Sequence, residues 1–253
     1  MSFLVNGRPT LTAMLKSKNT EDLLREIEEI HIQGPDAFGF QIEMLNPDER
    51  CEKNYRKIIS AMGDKPCYIT NYCRGNVVDH TDDELNEELI KFIDYGTNPK
   101  LLDIRMDCYD RQPGEVTFNE QAVEKQIKLI EKIHSLGAEV LMSAHVLKYI
   151  PCDEVVKIAV AQKARGADVA KIVTEANSDM ELCDNLKTSV VLKEKLGIPS
   201  LFLCNGTHCK RHRIIGPALG TDMFLVVHND NEGQNQPTIK RAKEQLILAG
   251  FGL

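Results

Sequence analysis

The fold is decided by residues 140–173, which read VLMSAH (Val140–His145), VLKYIP (146–151), CDEVVKIAVAQKAR (Cys152–Arg165), GAD (166–168) and VAKIV (Val169–Val173). Two short apolar runs flank a stretch whose apolar residues recur with helical spacing. Val140 to Ala144 and Val169 to Val173 are too short for stable helices and are bounded by turn residues, so they read as buried strands. Gly166 ends the helix between them. A strand, a helix and a second strand in about 30 residues is the unit of a parallel sheet.

The same alternation extends in both directions. Strands are predicted at Arg8 to Leu15, Phe38 to Met44, Cys67 to Asn71, Leu101 to Met106, Ser200 to Cys204 and Met223 to Val227. Between them, Asn19 or Thr20 caps a helix carrying Leu23, Leu24, Ile27 and Ile30, which Gly34 and Pro35 stop. Asp48 to Met62 reads as a second helix. Thr81 with Glu84, Thr117 with Glu120, and Ser178 with Glu181 read as helix starts of the capping-box type. Gly137 and Gly197 close two of these helices, and Gln236 to Ala249 forms a terminal one. Eight strands alternating with helices, joined by right-handed crossovers, predict an α/β fold, a (β/α)8 TIM barrel. An open doubly wound sheet is the alternative, but no Gly-rich phosphate loop follows the first strand. A length of 253 residues suits one such barrel, giving a single domain over 1–253.

Composition narrows the function. A formal charge of -7 argues against general binding to nucleic acid or membrane surfaces. No apolar stretch reaches the length of a membrane span, and the first residues, MSFLVNGRPT, lack the pattern of a signal peptide, so a cytoplasmic location is expected. None of the 8 cysteines forms a CxxC pair, so they read as reduced thiols. A possible homodimer is the default assembly.

In a barrel of this kind the chemistry sits at the C-terminal ends of the strands. The polar residues at those ends are Gln41 and Glu43, Asn71 to Arg74, Asp103, Arg105 and Asp107, Ser143 and His145, Lys171, and Asn205 to Arg213. Lys171 stands out because it interrupts an apolar strand. Burying a charged lysine is costly, so desolvation favours a neutral, nucleophilic amine; a lysine paired with a carboxylate is the other reading. His145 ends the neighbouring strand and can move protons near neutral pH. An imine-forming lysine needs such a partner. The stretch Thr207 to Arg213 is basic and suits a carboxylate or phosphate. Gly216 and Gly220, just beyond it, would let the backbone approach a ligand. A zinc site at His208, Cys209 and His212 lacks a standard ligand spacing, and no metal is expected.

At these residues the chain resembles the type I 3-dehydroquinate dehydratases. Ser143-Ala144-His145 matches the family's Ser-x-His at the end of strand five. Lys171-Ile172-Val173 matches its lysine strand about 26 residues later, read on the spacing of a βα unit. Arg213-Ile214-Ile215-Gly216-Pro217-Ala218-Leu219-Gly220 matches its Arg-x-x-Gly-x-x-x-Gly, and Glu232-Gly233-Gln234 stands where the family has Pro-Gly-Gln. The resemblance implies a lyase of aromatic amino acid biosynthesis (the shikimate pathway) that converts 3-dehydroquinate to 3-dehydroshikimate without cofactor. It implies that Lys171 forms a Schiff base with the C3 carbonyl of this small oxo acid. His145 would then take a proton from C2 and return one to the departing C1 hydroxyl. Arg213 would bind the carboxylate and Gln234 would reach the substrate from the loop after strand eight. Ser143 and Glu43 lie at positions that would line the same site.

The sequence departs from the family's substrate grip. The usual Glu-x-Arg-x-Asp at the end of strand two reads Gln41-Ile42-Glu43-Met44-Leu45. Tyr72 stands where an arginine is usual, and the acid that orients the histidine is replaced near Asn76. The loop serine is Asp230, the aspartate after the histidine is Val146, and the pocket methionines align with Leu203 and Asn205. Arg74 or Arg105 is expected to supply the missing cation. These changes leave open a related Schiff-base lyase or aldolase acting on another oxo acid, or a binding barrel without activity.

Overall fold

Runs of Leu, Ile, Val and Phe build the eight strands, and each is short because a barrel strand needs only to cross the core. The computed structural model describes residues 2–229 and 235–253. The strands are β1 (Thr10–Met14), β2 (Ala37–Gln41), β3 (Cys67–Thr70), β4 (Lys100–Arg105), β5 (Glu139–His145), β6 (Val169–Glu175), β7 (Ser200–Asn205) and β8 (Met223–Val226). The helices are α1 (Thr20–Gln33), α2 (Glu52–Ala61), α3 (Asp82–Lys91), α4 (Glu120–Ser135), α5 (Cys152–Ala164), α6 (Asp179–Lys195), α7 (Cys209–Leu219) and α8 (Ile239–Leu248).

All ladders are parallel, in the order β7-β6-β5-β4-β3-β2-β1-β8. The seam between β8 and β7 is drawn together by Asp222, just before β8. Its backbone N–H donates to the Ser200 carbonyl at 2.9 Å, and its carboxylate accepts from the Ser200 N–H at 2.7 Å. Its carbonyl accepts from the Thr10 N–H on the other side. The (β/α)8 barrel expected from the alternation is therefore the observed architecture.

Burial separates two apolar layers. Inside the barrel, Tyr68, Leu101, Leu141, Val169, Leu201 and Met223 pack with Phe3. The Phe3 N–H donates to Glu139 at the start of β5, so the N-terminal segment covers the lower mouth. Between strands and helices lies the larger layer, including Ile27, Phe40, Ile58, Phe92, Ile104, Ile133, Met142 and Phe202. Gly39 has a specific duty. A Cβ there would lie 2.2 Å from the Met14 sulfur, so glycine in β2 makes room for a side chain crossing the barrel from β1.

Several boundaries differ from the sequence reading, each for a local reason. β2 stops at Gln41, and Ile42–Met44 turn into a 3₁₀ segment tied down by Arg50, which donates to the Ile42 carbonyl at 2.7 Å. Glu43 is thus on a turn and not on the strand. Pro47–Glu49 is a separate 3₁₀ turn, and the second helix starts only at Glu52. The cap of α4 is Asn119, whose side chain accepts from the Ala122 N–H, while Thr117 donates to Asp110. α8 starts at Ile239 behind a Thr238 cap. The Thr81–Glu84 capping box is present as expected, and Ser178 caps α6. α7 was not foreseen, because Gly216 and Pro217 argue against a helix. Its glycines serve packing: a Cβ on Gly220 would lie 2.8 Å from the Ser189 carbonyl oxygen.

α7 also buries His212 completely, edge-on to Phe202 at 5.3 Å between ring centres. Desolvation, with the nearby Arg213 charge, lowers its pKa from 6.5 to about 4. The unfolded chain binds this proton below pH ~6.5, and the fold resists it until pH ~4. Stability from this group is therefore complete above that window and is lost as pH falls through it, by up to about 3 kcal/mol. His212→Phe is expected to flatten the decline in unfolding free energy between pH 6.5 and 4 relative to the native chain. Parallel stability curves for the two proteins would show the assignment to be wrong.

Candidate active site

A cavity of about 420 Å³ opens at the C-terminal ends of the strands, where Lys171, His145, Arg213 and Arg74 meet with Lys16, Gln41, Tyr68, Tyr72, Asn205 and Gln236. Lys171 comes from the middle of β6, whose register sets it beside Ser143 of β5 and Leu201 of β7. The buried Gln162 of α5 donates to the Lys171 carbonyl at 3.0 Å and fixes the strand there.

The Lys171 side chain is 5% exposed and its amine is fully engaged. It donates to the Tyr72 hydroxyl at 2.5 Å, to the Tyr68 hydroxyl at 2.9 Å and to the Asp103 carboxylate at 3.2 Å. Both tyrosines in turn donate to the same Asp103 oxygen, and Ser143 donates to the other at 2.5 Å. Of the two readings of this lysine, desolvated amine or partner of a carboxylate, the structure sets a carboxylate beside it, as a cation at this depth needs a counter-charge.

His145 ends β5 and offers its ring to the cavity. Its Nδ1 lies 2.6 Å from Glu115. Glu115 comes from the long loop between β4 and α4 and adopts a left-handed backbone with φ 56°, next to Gly114 at φ 83°. That loop is held from beneath. Arg165 donates to the carbonyls of Met106 and Thr117 and to Gln126, and Gln126 donates to the carbonyls of Met106 and Cys108. A carboxylate at Nδ1 fixes the tautomer and leaves Nε2 for chemistry. Tyr72 packs edge-on to the His145 ring at 5.2 Å, so one tyrosine touches both candidate catalytic groups.

The cations of the cavity fall into two kinds. Arg74 stacks over Tyr72 at 4.8 Å and pairs with the buried Glu43 at 2.7 Å. Glu43 also accepts from Thr70. Arg213 is buried and donates to Asn205 at 3.1 Å, yet its Nε has no partner and no carboxylate faces it among the described residues. Burial lowers its pKa. Lys16, on the β1–α1 turn that Glu26 ties down through the Lys16 and Ser17 N–H groups, makes no ion pair among the described residues. Its pKa is lowered by desolvation, and by Arg213 and Arg74, against the pull of Glu26.

Of the residues singled out in the sequence, Lys171, His145, Arg213 and Arg74 line the cavity, and Glu43 stands behind Arg74. Ser143 faces Asp103 rather than the cavity. Arg105 turns outward to Asp82 at 3.0 Å and Asp107 at 3.6 Å. Gln234 and Asp230 lie outside the described residues, as does the side chain of Asn76, while Gln236 reaches the cavity rim. Tyr68, Glu115, Lys16 and Gln236 were missed. The aromatic at 72 was visible as a departure from the family, but nothing local marks Glu115. His208, Cys209 and His212 do not converge, and the described residues contain no cluster suited to a metal. The cysteines are unpaired thiols.

The comparisons with known proteins agree with this architecture. The sequence model of type I 3-dehydroquinase matches residues 11–250. This chain belongs to the type I 3-dehydroquinase family. It is 22% identical over 242 residues to the 3-dehydroquinate dehydratase of Aromatoleum aromaticum, covering 92% of this chain and 86% of that protein. Its fold is similar to the crystal structure of 3-dehydroquinate dehydratase from Geobacillus kaustophilus, with a TM-score of 0.81, 16% identity, and coverage of 97% and 92% of the two chains. The type I enzyme from Clostridium difficile, solved with covalently modified comenic acid, gives a TM-score of 0.79 at 16% identity over 97% of this chain and 94% of that one. Family membership implies a hydro-lyase.

Glu115→Ala is expected to leave the barrel folded and to release the His145 ring into a mixture of tautomers, read from its ¹⁵N shifts. Activity should fall at least about tenfold, the scale of a lost orienting partner. An unchanged tautomer in the variant would show that the carboxylate does not hold the ring.

Proposed function

We propose that this chain dehydrates 3-dehydroquinate to 3-dehydroshikimate through an imine on Lys171, with His145 as general acid and base. The observation that carries this reading is the amine of Lys171 buried in the cavity lining with the ring of His145 on the same wall. The amine attacks the C3 carbonyl and water leaves. The imine nitrogen then accepts the electrons released when His145 removes the C2 proton. They return as the C1 hydroxyl departs, protonated by the same histidine, and water then hydrolyses the imine to release the enone and the Lys171 amine. Arg213, with its open Nε donor, suits the substrate carboxylate.

A second reading keeps the imine and changes the oxo acid. Lys16 favours it, because this cation adds to Arg213 at the rim, and dehydroquinate brings one carboxylate. Both readings share one assay. The protein is incubated with 3-dehydroquinate, reduced with borohydride and weighed intact. The expected result is a reduced adduct that disappears in Lys171→Ala, together with absorbance of the conjugated enone product. No adduct and no enone would discard 3-dehydroquinate as substrate. In His145→Ala the adduct should persist while turnover drops about 10²–10⁴-fold; near-native turnover there would reject the role of the histidine. Arg213→Leu should raise KM by about 10- to 100-fold, the scale of one charge-assisted hydrogen bond, and an unchanged KM would place the carboxylate elsewhere.

A further inference from the structure

The groups that touch the amine are not the group assigned to carbon chemistry. Among the described residues, the hydrogen-bond partners of Lys171 Nζ are Tyr68, Tyr72 and Asp103, whereas His145 is bonded to Glu115. We infer that Tyr72, backed by Asp103, is a further catalytic residue, which delivers the proton that expels water as Lys171 forms its imine. The inference rests on the reading of Lys171 as the imine-forming residue and separates two proton stations, one for nitrogen and one for carbon.

Geometry selects Tyr72. Its hydroxyl is 2.5 Å from Nζ and 2.5 Å from Asp103 Oδ2, so it bridges the reacting nitrogen and a proton store. Once a carbonyl carbon is bonded to Nζ, the carbinolamine oxygen is two bonds from that nitrogen, within reach of the same hydroxyl. Tyr68 approaches from within β3, in the packed layer with Leu101, Leu141 and Leu201. Tyr72 stands two residues beyond the end of β3, on the side of the mouth, beneath Arg74 and against His145.

The protons balance. The ammonium of Lys171 gives one proton to the Asp103 carboxylate, directly or through the Tyr72 hydroxyl, and becomes the free amine. Its lone pair forms the C–N bond while the carbonyl π electrons move to oxygen, and an N–H proton follows to give the neutral carbinolamine. Tyr72 then protonates that hydroxyl as the C–O bond breaks and the nitrogen lone pair makes C=N. Asp103 returns its proton to the phenol oxygen. The sum is ketone plus ammonium giving protonated imine plus water. Burial, and the charge of Asp103 after it, hold the phenol well above its ordinary pKa. The two short hydrogen bonds at Tyr72 let Asp103 return a proton to the phenol as it gives one up.

A cyclic 1,3-diketone tests this without reference to the natural substrate. Such a compound condenses with a nucleophilic lysine, loses water and leaves a conjugated enaminone visible in the near ultraviolet. The native chain should form it, and Lys171→Ala should not. Tyr72→Phe should slow its formation about 10²-fold, within the range of a lost general acid. Fluorotyrosine incorporated at position 72, a more acidic phenol of nearly the same shape, should speed formation at a fixed pH, where a purely structural hydroxyl would leave the rate unchanged. It carries the test if Tyr72→Phe fails to fold. A native rate in Tyr72→Phe would overturn the inference while leaving the imine intact. No enaminone in the native chain would sink the inference and the imine together. Enaminone formation with these variant effects, but without turnover of 3-dehydroquinate, would support the relay and discard only the substrate.

Discussion

The pairing of Lys171 with Asp103 governs this active site. Each charge alone would be costly at this depth, and removing one partner of such a pair typically destabilises by about 3–5 kcal/mol. The network spreads the load. Tyr68, Tyr72 and Ser143 all donate to Asp103, and both tyrosines also accept from Lys171. The carboxylate thus holds the amine, two phenols and a strand-five hydroxyl in one arrangement. Groups fixed in this way by one another need little reorganisation during a reaction.

The barrel supplies the placement. Parallel register puts Ser143 beside both Arg105 and Lys171, so that strands four, five and six each contribute to one point inside the cylinder. Asp103 and Arg105 lie on the same strand, yet the first feeds the interior network and the second pairs outside the cavity with Asp82 and Asp107. Helix α7 reaches the cavity directly through Arg213, while α5 acts through polar anchors beneath it. Gln162 holds the backbone of Lys171, and Arg165, on the next turn of the chain, clamps the loop that carries Glu115. One helix end thereby serves both halves of the chemistry.

Charge at the mouth follows a different logic. Arg74 is neutralised by Glu43, whereas Arg213 has no carboxylate facing it among the described residues and Lys16 feels Glu26 without forming an ion pair there. Like charges brought together raise the cost of an empty site and reward an anion that enters it. Lys16, on the turn after β1, and Arg213, on α7, give the lining of the cavity its positive charge.

Much of this was legible in the amino-acid order. The alternation of short β-branched runs with capped helical stretches determined the barrel, because strand and helix periods are local properties of the chain. Lys171 and His145 were visible because each is a polar residue at the end or middle of an apolar strand. What remained hidden depends on distance through space. Glu115 lies 30 residues from His145 in the chain and carries no periodic or motif signal. The partnership of Lys171 with Tyr68 spans 103 positions. α7 was obscured by Gly216 and Pro217, whose poor propensities are overridden by packing against β7 and α6. Sequence alone determined the alternation of strands and helices and marked Lys171, His145, Arg213 and Arg74 as polar residues of the cavity, since those follow from neighbours in the chain. Only the closed cylinder decided which acid orients the histidine and which phenols hold the lysine, because strand register brings distant residues within hydrogen-bond reach.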